Sequence, residues 1–542
     1  MKIVNTYFPA VTDDAGNVSV RLTIHHAVYF VLLFLLVGAQ PVSNFMMSGM
    51  EILLAVNWAL EWDMRNKLRR AKESPLLWFF LLLTGVHLIW MIPSQNIAYG
   101  FDDLFRKLPM LAIPLVVLTS RPLNKKQIEM LFFCLVTTVF IAAIVGRVRL
   151  HTIPDIAYRD LPFISHIRFA LNIVLSLVLI VAYLHRMFPR QPNQRQGAGT
   201  ALGRWVMTAL LVVVAISLLQ FLLIIRSYTG FVILLVIAIV LLATYWRRIS
   251  ISLRRTGVAM VSVVILVFAV ISGKMIHDYY APVPLAQEPL KTYTASGNPY
   301  SHTEDNLIEN GNYVGNYVCM EELQSEWAKR SSMLLSDTTV NGYAVMPTLV
   351  RYLNACGVTK DSVGMQTLTD KDVVAIENGI ANPVYLHGGS LRKMYYVMLF
   401  EYESYRKLGA VKNFTMLQRF ELWRNAWKVF CDHPLFGVGT GDVVDECHAR
   451  LAADNSPLTG TKKHAHNQYL TFLVTFGLVG FIIIALAFCL SLRKSKVLRL
   501  PLFTAFLTIV LVSFLTEDTL ETLAGCVFAV LFFCLLAVYR EK

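Results

Sequence analysis

Apolar stretches of membrane-crossing length recur through this chain, and few folds can house them. A helix that crosses the bilayer core needs about 20 mostly apolar residues. By that rule the sequence holds about twelve candidate spans, at residues 25–41, 43–60, 75–93, 105–119, 127–146, 166–185, 205–225, 228–246, 257–276, 468–491, 500–516 and 522–539. The runs 105–119 and 500–516 are short, and Asn44 and Asn57 interrupt 43–60. The expected fold is an all-α polytopic membrane protein. Composition agrees. The 542 residues are 56% hydrophobic and 16% charged, where a soluble protein carries about a quarter charged residues. The first apolar run begins near His26, behind a polar start with little positive charge and no small-residue cleavage site, so it reads as an uncleaved first span.

The net charge of +13 would suit a nucleic-acid partner, but its distribution argues against one. The basic residues collect in short loops between apolar runs. They are Arg65, Lys67, Arg69, Arg70 and Lys72; Arg121, Lys125 and Lys126; Arg186, Arg190, Arg195 and Arg204; Arg247, Arg248, Arg254 and Arg255; and Arg493, Lys494, Lys496 and Arg499. Each basic loop is two spans from the next, so all fall on one side, the cytoplasm by the positive-inside rule. The intervening loops carry Asp102-Asp103 and Glu517-Asp518. Both termini are then cytoplasmic, and the long polar segment faces outward. Against that background Arg106, Lys107, Arg147, Arg149, Arg159, Arg168 and Arg226 lie on or near the outer face. Cations at such depth usually have anionic partners, and guanidinium forks fit phosphate oxygens. As a group they indicate an outward anion site, with snorkelling or structural ion pairs the plainer reading of any single one.

Three parts follow: a membrane domain at 1–276 with about nine spans, an outward loop domain at 277–467, and a membrane segment at 468–542 with about three spans. The loop is too long to lack structure of its own. Residues 277–318 read as irregular, and 320–335, 390–408 and 413–431 as helices. In the last, Leu417, Phe420, Trp423, Trp427 and Phe430 share one side, which suits a membrane interface or packing on other loop helices. Of eight cysteines, Cys134, Cys489, Cys526 and Cys534 are apolar fillers in spans. Cys319, Cys356, Cys431 and Cys447 lie outside, where disulfides are permitted and three pairings are open.

Chemistry concentrates at Lys463-His464-Ala465-His466-Asn467-Gln468-Tyr469-Leu470, where the polar segment meets an apolar run. Asn467 is a plausible helix cap. The positive end of a helix and nearby arginines both disfavour imidazolium, and a neutral imidazole can accept a proton as a general base. A metal site here lacks an obvious third ligand. Upstream, Arg419 and Trp423 share a helix face, and His433-Pro434-Leu435-Phe436-Gly437-Val438-Gly439 follows. Its glycines superficially match a dinucleotide fingerprint, but they follow a helix and a proline rather than a strand, so a tight turn back to the membrane is expected. The acidic pairs Asp102-Asp103 and Glu517-Asp518 admit a divalent-cation variant of the site. Solvated loop acids are the simpler expectation, because clustered acids alone are a weak ligand signal.

Three pieces of this sequence resemble the O-antigen ligase and O-antigen polymerase superfamily of bacterial envelope glycosyltransferases. They are Arg419 to Gly439, the stretch His464 to Leu470, and Arg226-Ser227-Tyr228-Thr229-Gly230 at a span junction. The resemblance implies a fold like that of C-type membrane glycosyltransferases. It implies a glycan donor on undecaprenyl pyrophosphate, an acceptor hydroxyl on a lipid A core or on a growing glycan, and a place in the bacterial inner membrane with the large loop periplasmic. His466 matches the family's proposed base, with His464 beside it. Arg226 and Arg419 match arginines that hold the pyrophosphate, and Arg168 is a further match, with Asn467 and Trp423 in support. No cofactor is implied, and metal use is not favoured. A ligase is the first reading and a polymerase the alternative. A lipid-linked glycan transporter is disfavoured, since no internal repeat stands out and charges cluster at one face rather than at mid-depth.

Overall fold

The computed structural model describes residues 6–12, 16–153, 156, 158–187, 201–248, 250–287, 289–303, 307–387, 390–409, 415–460 and 464–539. Arg190, Arg195, Lys463 and the first two residues of the expected 413–431 helix lie outside them. The chain forms two compact units. One comprises Met1–Val258, Leu422–Asn455 and Thr459–Lys542, and the other Ala259–Glu421 and Ser456–Leu458.

The protein is an all-α, multi-pass membrane protein; the described β-strands are the two-residue pair Ile308–Glu309 and Asn312–Tyr313. Among the described residues six helices are long and apolar enough to cross a membrane: Val20–Ala39, Lys125–Thr152, His166–Met187, Leu202–Ile224, Ile251–Tyr280 and Gln468–Ser495. A seventh arises if Met64–Glu73 and Pro75–Ile89, bent by 88°, count as one. Thr229–Thr244, Pro501–Ser513 and Leu523–Val538 are shorter apolar helices, and Asn44–Leu60 has 17 residues. The expected span at 105–119 is instead the end of one short helix, Ile97–Arg106, and the whole of another, Pro109–Thr119. Pro109 explains the break: its fixed φ suits a first helical position, and its missing N–H cannot continue the preceding helix.

In the larger unit the helix Leu523–Val538 is buried all round, from Ala524 to Leu536, as its unbroken apolar sequence requires. It packs with Pro109–Thr119, Pro501–Ser513 and His166–Met187. Helix starts are capped in sequence-legible ways. Asn124 and Gln127 form a capping box at Lys125, and Thr522 accepts from Gly525 N–H. One charge does sit at mid-helix, against expectation: Glu51 in Asn44–Leu60, whose Oε1 is buried without a hydrogen-bond partner among the described residues.

The smaller unit has its own core of Leu323, Trp327, Leu349, Tyr352, Leu353 and Ile376. These come from the helices Met320–Ala328, Val345–Ala355 and Asp370–Glu377. The first ends at Ala328, well short of the expected 335. A buried lysine and a partly buried arginine brace the strand pair. Lys360 Nζ donates to Tyr313 O, Asn316 O and the Asn354 side chain, and Arg351 forks onto Glu309 at 2.8 and 2.9 Å. Ser390–Leu408 is helical as expected; Tyr395, Tyr396 and Phe400 are its buried aromatics, and Tyr402 is exposed. All eight cysteines are free, so none of the three possible pairings forms.

Candidate active site at the start of a broken membrane helix

The helix Gln468–Ser495 begins with Asn467 as its cap, as expected. The Asn467 Oδ1 accepts from the N–H groups of Tyr469 and Leu470 at 3.1 and 3.2 Å, and its amide nitrogen donates to Leu515 O. A second cap comes from far along the chain. The Asp518 carboxylate accepts from His466 N–H at 2.6 Å, from Asn467 N–H at 3.1 Å and from the Thr471 hydroxyl at 2.7 Å. An anion at a helix N-terminus is favoured by the unpaired amides and the helix dipole. To reach it His466 adopts φ 51°, a left-handed conformation uncommon for residues other than glycine. The strain turns the imidazole outward, 39% exposed, with Nδ1 3.9 Å from Glu517 Oε2. His464 lies beside it with Nε2 3.3 Å from the Tyr99 hydroxyl.

Under this turn lies a buried ionic network. Lys107 Nζ is 2.6 Å from Asp103 and 2.7 Å from Glu521. Gln468 donates to Glu521 at 2.9 Å and accepts from Leu520 N–H. Burial and its like-charged neighbour Glu521 push Asp518 up from its ordinary value, against His464, Thr471 and the His466 amide. For Glu521 burial acts in the same direction, but the Lys107 ammonium, His464 and Gln468 outweigh it and hold the carboxyl at about 2. The expectation of solvated loop acids is thus overturned: Asp103, Glu517, Asp518 and Glu521 are buried, and Asp102 is the exposed one. Their neighbours explain this, since each buried acid has a cation, amide or hydroxyl in reach. Among the described residues no group of three or more His, Cys, Asp or Glu is arranged to hold a metal ion.

The expected arginines divide. Arg168, the third residue of His166–Met187, is buried and spends its guanidinium on the same acidic turn. It donates to Asp518 O at 3.0 Å and to the Thr519 and Thr522 hydroxyls, and lies 3.8 Å from Glu517. Arg226 sits between the helices Leu202–Ile224 and Thr229–Thr244 with φ 53°. Its guanidinium lies 4.7 Å from the Tyr158 ring, which Arg159 also approaches, at 5.6 Å. Among the described residues no carboxylate pairs with Arg226. Arg147 and Arg149 end on carbonyls, Ser217 O and Leu161 O. Arg419 lies half-buried in the helix Thr415–Asp432. One turn on, Trp423 packs on a cluster of Ala426, Val429, Val443, Ala465 and Val474. The buried apolar residues among those described in this helix are Leu417, Leu422, Ala426 and Val429, while Phe420 and Trp427 are about half exposed. That expected side is therefore only partly packed: Leu417 is buried, and Trp423 and Phe430 lie against the cluster.

The segment after this helix does more than turn. Gln468–Ser495 is broken at Gly477, with φ 61° and ψ −170°. A break frees backbone groups that a membrane cannot solvate, and residues 434–439 take them up. Val438 and Gly439 N–H donate to Val474 O and Thr475 O at 2.9 and 3.0 Å, while Leu478 and Val479 N–H donate to Pro434 O and Leu435 O at 2.8 and 3.0 Å. Two glycines make the fit possible. A Cβ on Gly437 would lie 2.4 Å from Val474 O, and one on Gly477 would lie 2.4 Å from Leu435 O. The same segment grips the start of Ile97–Arg106. Asp442 accepts from Gln95 and Asn96 N–H, the latter at 2.8 Å, and Trp90 Nε1 donates to Phe436 O at 2.7 Å. That helix carries Tyr99 to His464.

Residues 374–485 match the family model described as O-antigen ligase. The match takes in Arg419, Trp423, the glycine segment and the histidine cap; Arg168, Arg226 and the acidic turn lie outside it. Curated proteins yield no match.

Proposed function

We propose that this protein is a membrane glycosyltransferase of the O-antigen ligase kind. It transfers a glycan from an undecaprenyl-pyrophosphate donor to an acceptor hydroxyl, on a lipid A core, at the outer face of the bacterial inner membrane. The match of residues 374–485 to the O-antigen ligase family model carries this reading. The geometry of His466 supports it. The ring is outward, its backbone is pinned by Asp518, and the Glu517 carboxylate stands near Nδ1.

In this mechanism His466 takes the proton of the acceptor hydroxyl, with His464 as its neighbour at the site. The freed oxygen attacks the anomeric carbon opposite the departing pyrophosphate, and the configuration inverts. Charge on the leaving group is what needs stabilising. Arg226 and Arg419 supply the opposing positive charge, since the guanidinium fork fits phosphate oxygens. Arg168 acts through the acidic turn it holds. Asn467 and Trp423 support the site, the first by fixing the helix start and the second by packing. The twelve-span arrangement of C-type glycosyltransferases, with both termini cytoplasmic and an outward loop domain at 277–467, belongs to the same proposal.

Purified protein in liposomes, given an undecaprenyl-pyrophosphate glycan and a lipid A core acceptor, tests it. Glycosylated acceptor should form without an ion gradient or nucleotide. Elongation of the lipid-linked glycan instead would identify a polymerase, and gradient-dependent movement of intact donor would identify a transporter.

A further inference from the structure

A cavity of about 780 Å³ opens in the larger unit among the helices Lys125–Thr152, His166–Met187, Leu202–Ile224, Pro501–Ser513 and Leu523–Val538. Its volume suits a drug-sized or larger ligand. Its depth in the membrane follows from helix direction. Arg168, beside the histidine cap, and Arg186, which lines the cavity, stand near the two ends of one helix. Between them run about 27 Å of helix, close to the ~30 Å thickness of the hydrocarbon core. The cavity therefore lies at the end of the bundle opposite His466, where the basic loops collect.

The walls are sorted by chemistry. Phe132, Val136, Leu179, Ile180 and Leu211 give an apolar side, and Lys126, Glu129, Arg186 and Tyr539 gather at one rim. Glu129 Oε1 accepts from Arg186 Nη1 at 3.2 Å and from the Tyr539 hydroxyl at 3.0 Å, and Arg186 Nη1 also bonds to Tyr539. Glu129, the one carboxylate among the described rim residues, is thus engaged by Arg186. Lys126 is exposed and has no partner among the described residues, so the described rim residues carry a net positive charge. A pocket inside a bilayer with an apolar wall and a cationic rim at headgroup depth suits a molecule with an alkyl chain and an anionic head.

We propose that this cavity binds an anionic phospholipid of the leaflet facing the basic loops. Its acyl chain lies on the Phe132–Leu179 wall and its phosphate at Lys126, with Arg186 held in place by Glu129 and Tyr539. The site is separate from the glycan-transfer site and does not depend on that assignment.

The test uses the full-length protein in phosphatidylcholine membranes with trace spin-labelled phosphatidylglycerol or spin-labelled phosphatidylcholine, and compares their association. The wild type should prefer phosphatidylglycerol by about fivefold, the selectivity of one cation near a membrane surface. Lys126→Glu alters an exposed side chain, keeps the fold and should bring the ratio to about one or below. Ala182→Trp, which fills the cavity, should lower association of both probes. Equal association of the two lipids with the wild type overturns the proposal, as does a preference that survives Lys126→Glu. Displacement of the phosphatidylglycerol probe by inorganic phosphate at unchanged ionic strength also overturns it, because the site would then recognise a free anion.

Discussion

Arg168 and Arg226 lie at the same edge of the membrane bundle, and both are arginines at a helix end, yet they are held in opposite ways. Arg168 is buried in hydrogen bonds to the Asp518 carbonyl and to the Thr519 and Thr522 hydroxyls, with Glu517 beyond. Arg226 rests on the face of Tyr158, and no described carboxylate answers it. A cation paired by its own chain shapes the structure. A cation resting on a neutral ring keeps its charge for a ligand. The difference sorts the cations expected at the outer face better than their position in the sequence does. Lys107 belongs with Arg168, fixed between Asp103 and Glu521.

The contrast between the two breaks most visibly if the buried cation can be removed without harm. Arg168→Met should destabilise the protein by about 3–5 kcal/mol, the usual penalty for stranding one partner of a buried ionic contact; thermal unfolding in detergent measures it. By contrast Arg226→Met should change stability by about 1 kcal/mol or less, the worth of a partly exposed cation–π contact, while abolishing glycan transfer. Equal stability losses in the two variants would erase the distinction. Gly477→Ala should lose about 1–3 kcal/mol from a left-handed backbone that alanine adopts poorly, and more from its clash with Leu435.

A pH series sharpens the same contrast on the acidic turn. Glu521 is held at about 2 in the folded protein, below the roughly 4.3 of a free carboxyl. Its contribution is therefore complete above that free value and is lost as pH falls through about 2. Glu521→Gln should lower stability at neutral pH and flatten the acid limb of the unfolding curve. An unchanged acid limb would place the charge dependence elsewhere. The smallest expected effect is that of a chelator: with no metal in the proposed mechanism, transfer should persist in excess chelator.

Local signals are legible in the sequence itself. Membrane-length apolarity, the Asn467 cap and the helices expected at 390–408 and 413–431 all follow from spacing over a few residues. What escapes a sequence reading is carried by pairs far apart in the chain. Asp518 caps a helix that starts some fifty residues earlier, and nothing within the Glu517-Asp518 dipeptide distinguishes a buried capping acid from a solvated one. Gly437 makes sense only beside Gly477, because each leaves room for the other's backbone. The turn expected at Pro434 to Gly439 is there, but its task of mending a broken membrane helix needs the partner stretch of backbone to be seen. The arginines elude the sequence for the same reason: depth in the membrane predicts that a cation needs an anion, not whether the protein or a ligand provides it.

The proposed chemistry turns on His466 as the group that takes the acceptor's proton, and single-turnover glycan transfer by purified His466→Ala, with saturating lipid-linked donor, tests it most directly. The side chain is partly exposed and its backbone N–H still reaches Asp518, so the variant should fold and keep its donor while transfer falls by about 10²-fold or more. Transfer at near wild-type rate would contradict the assignment.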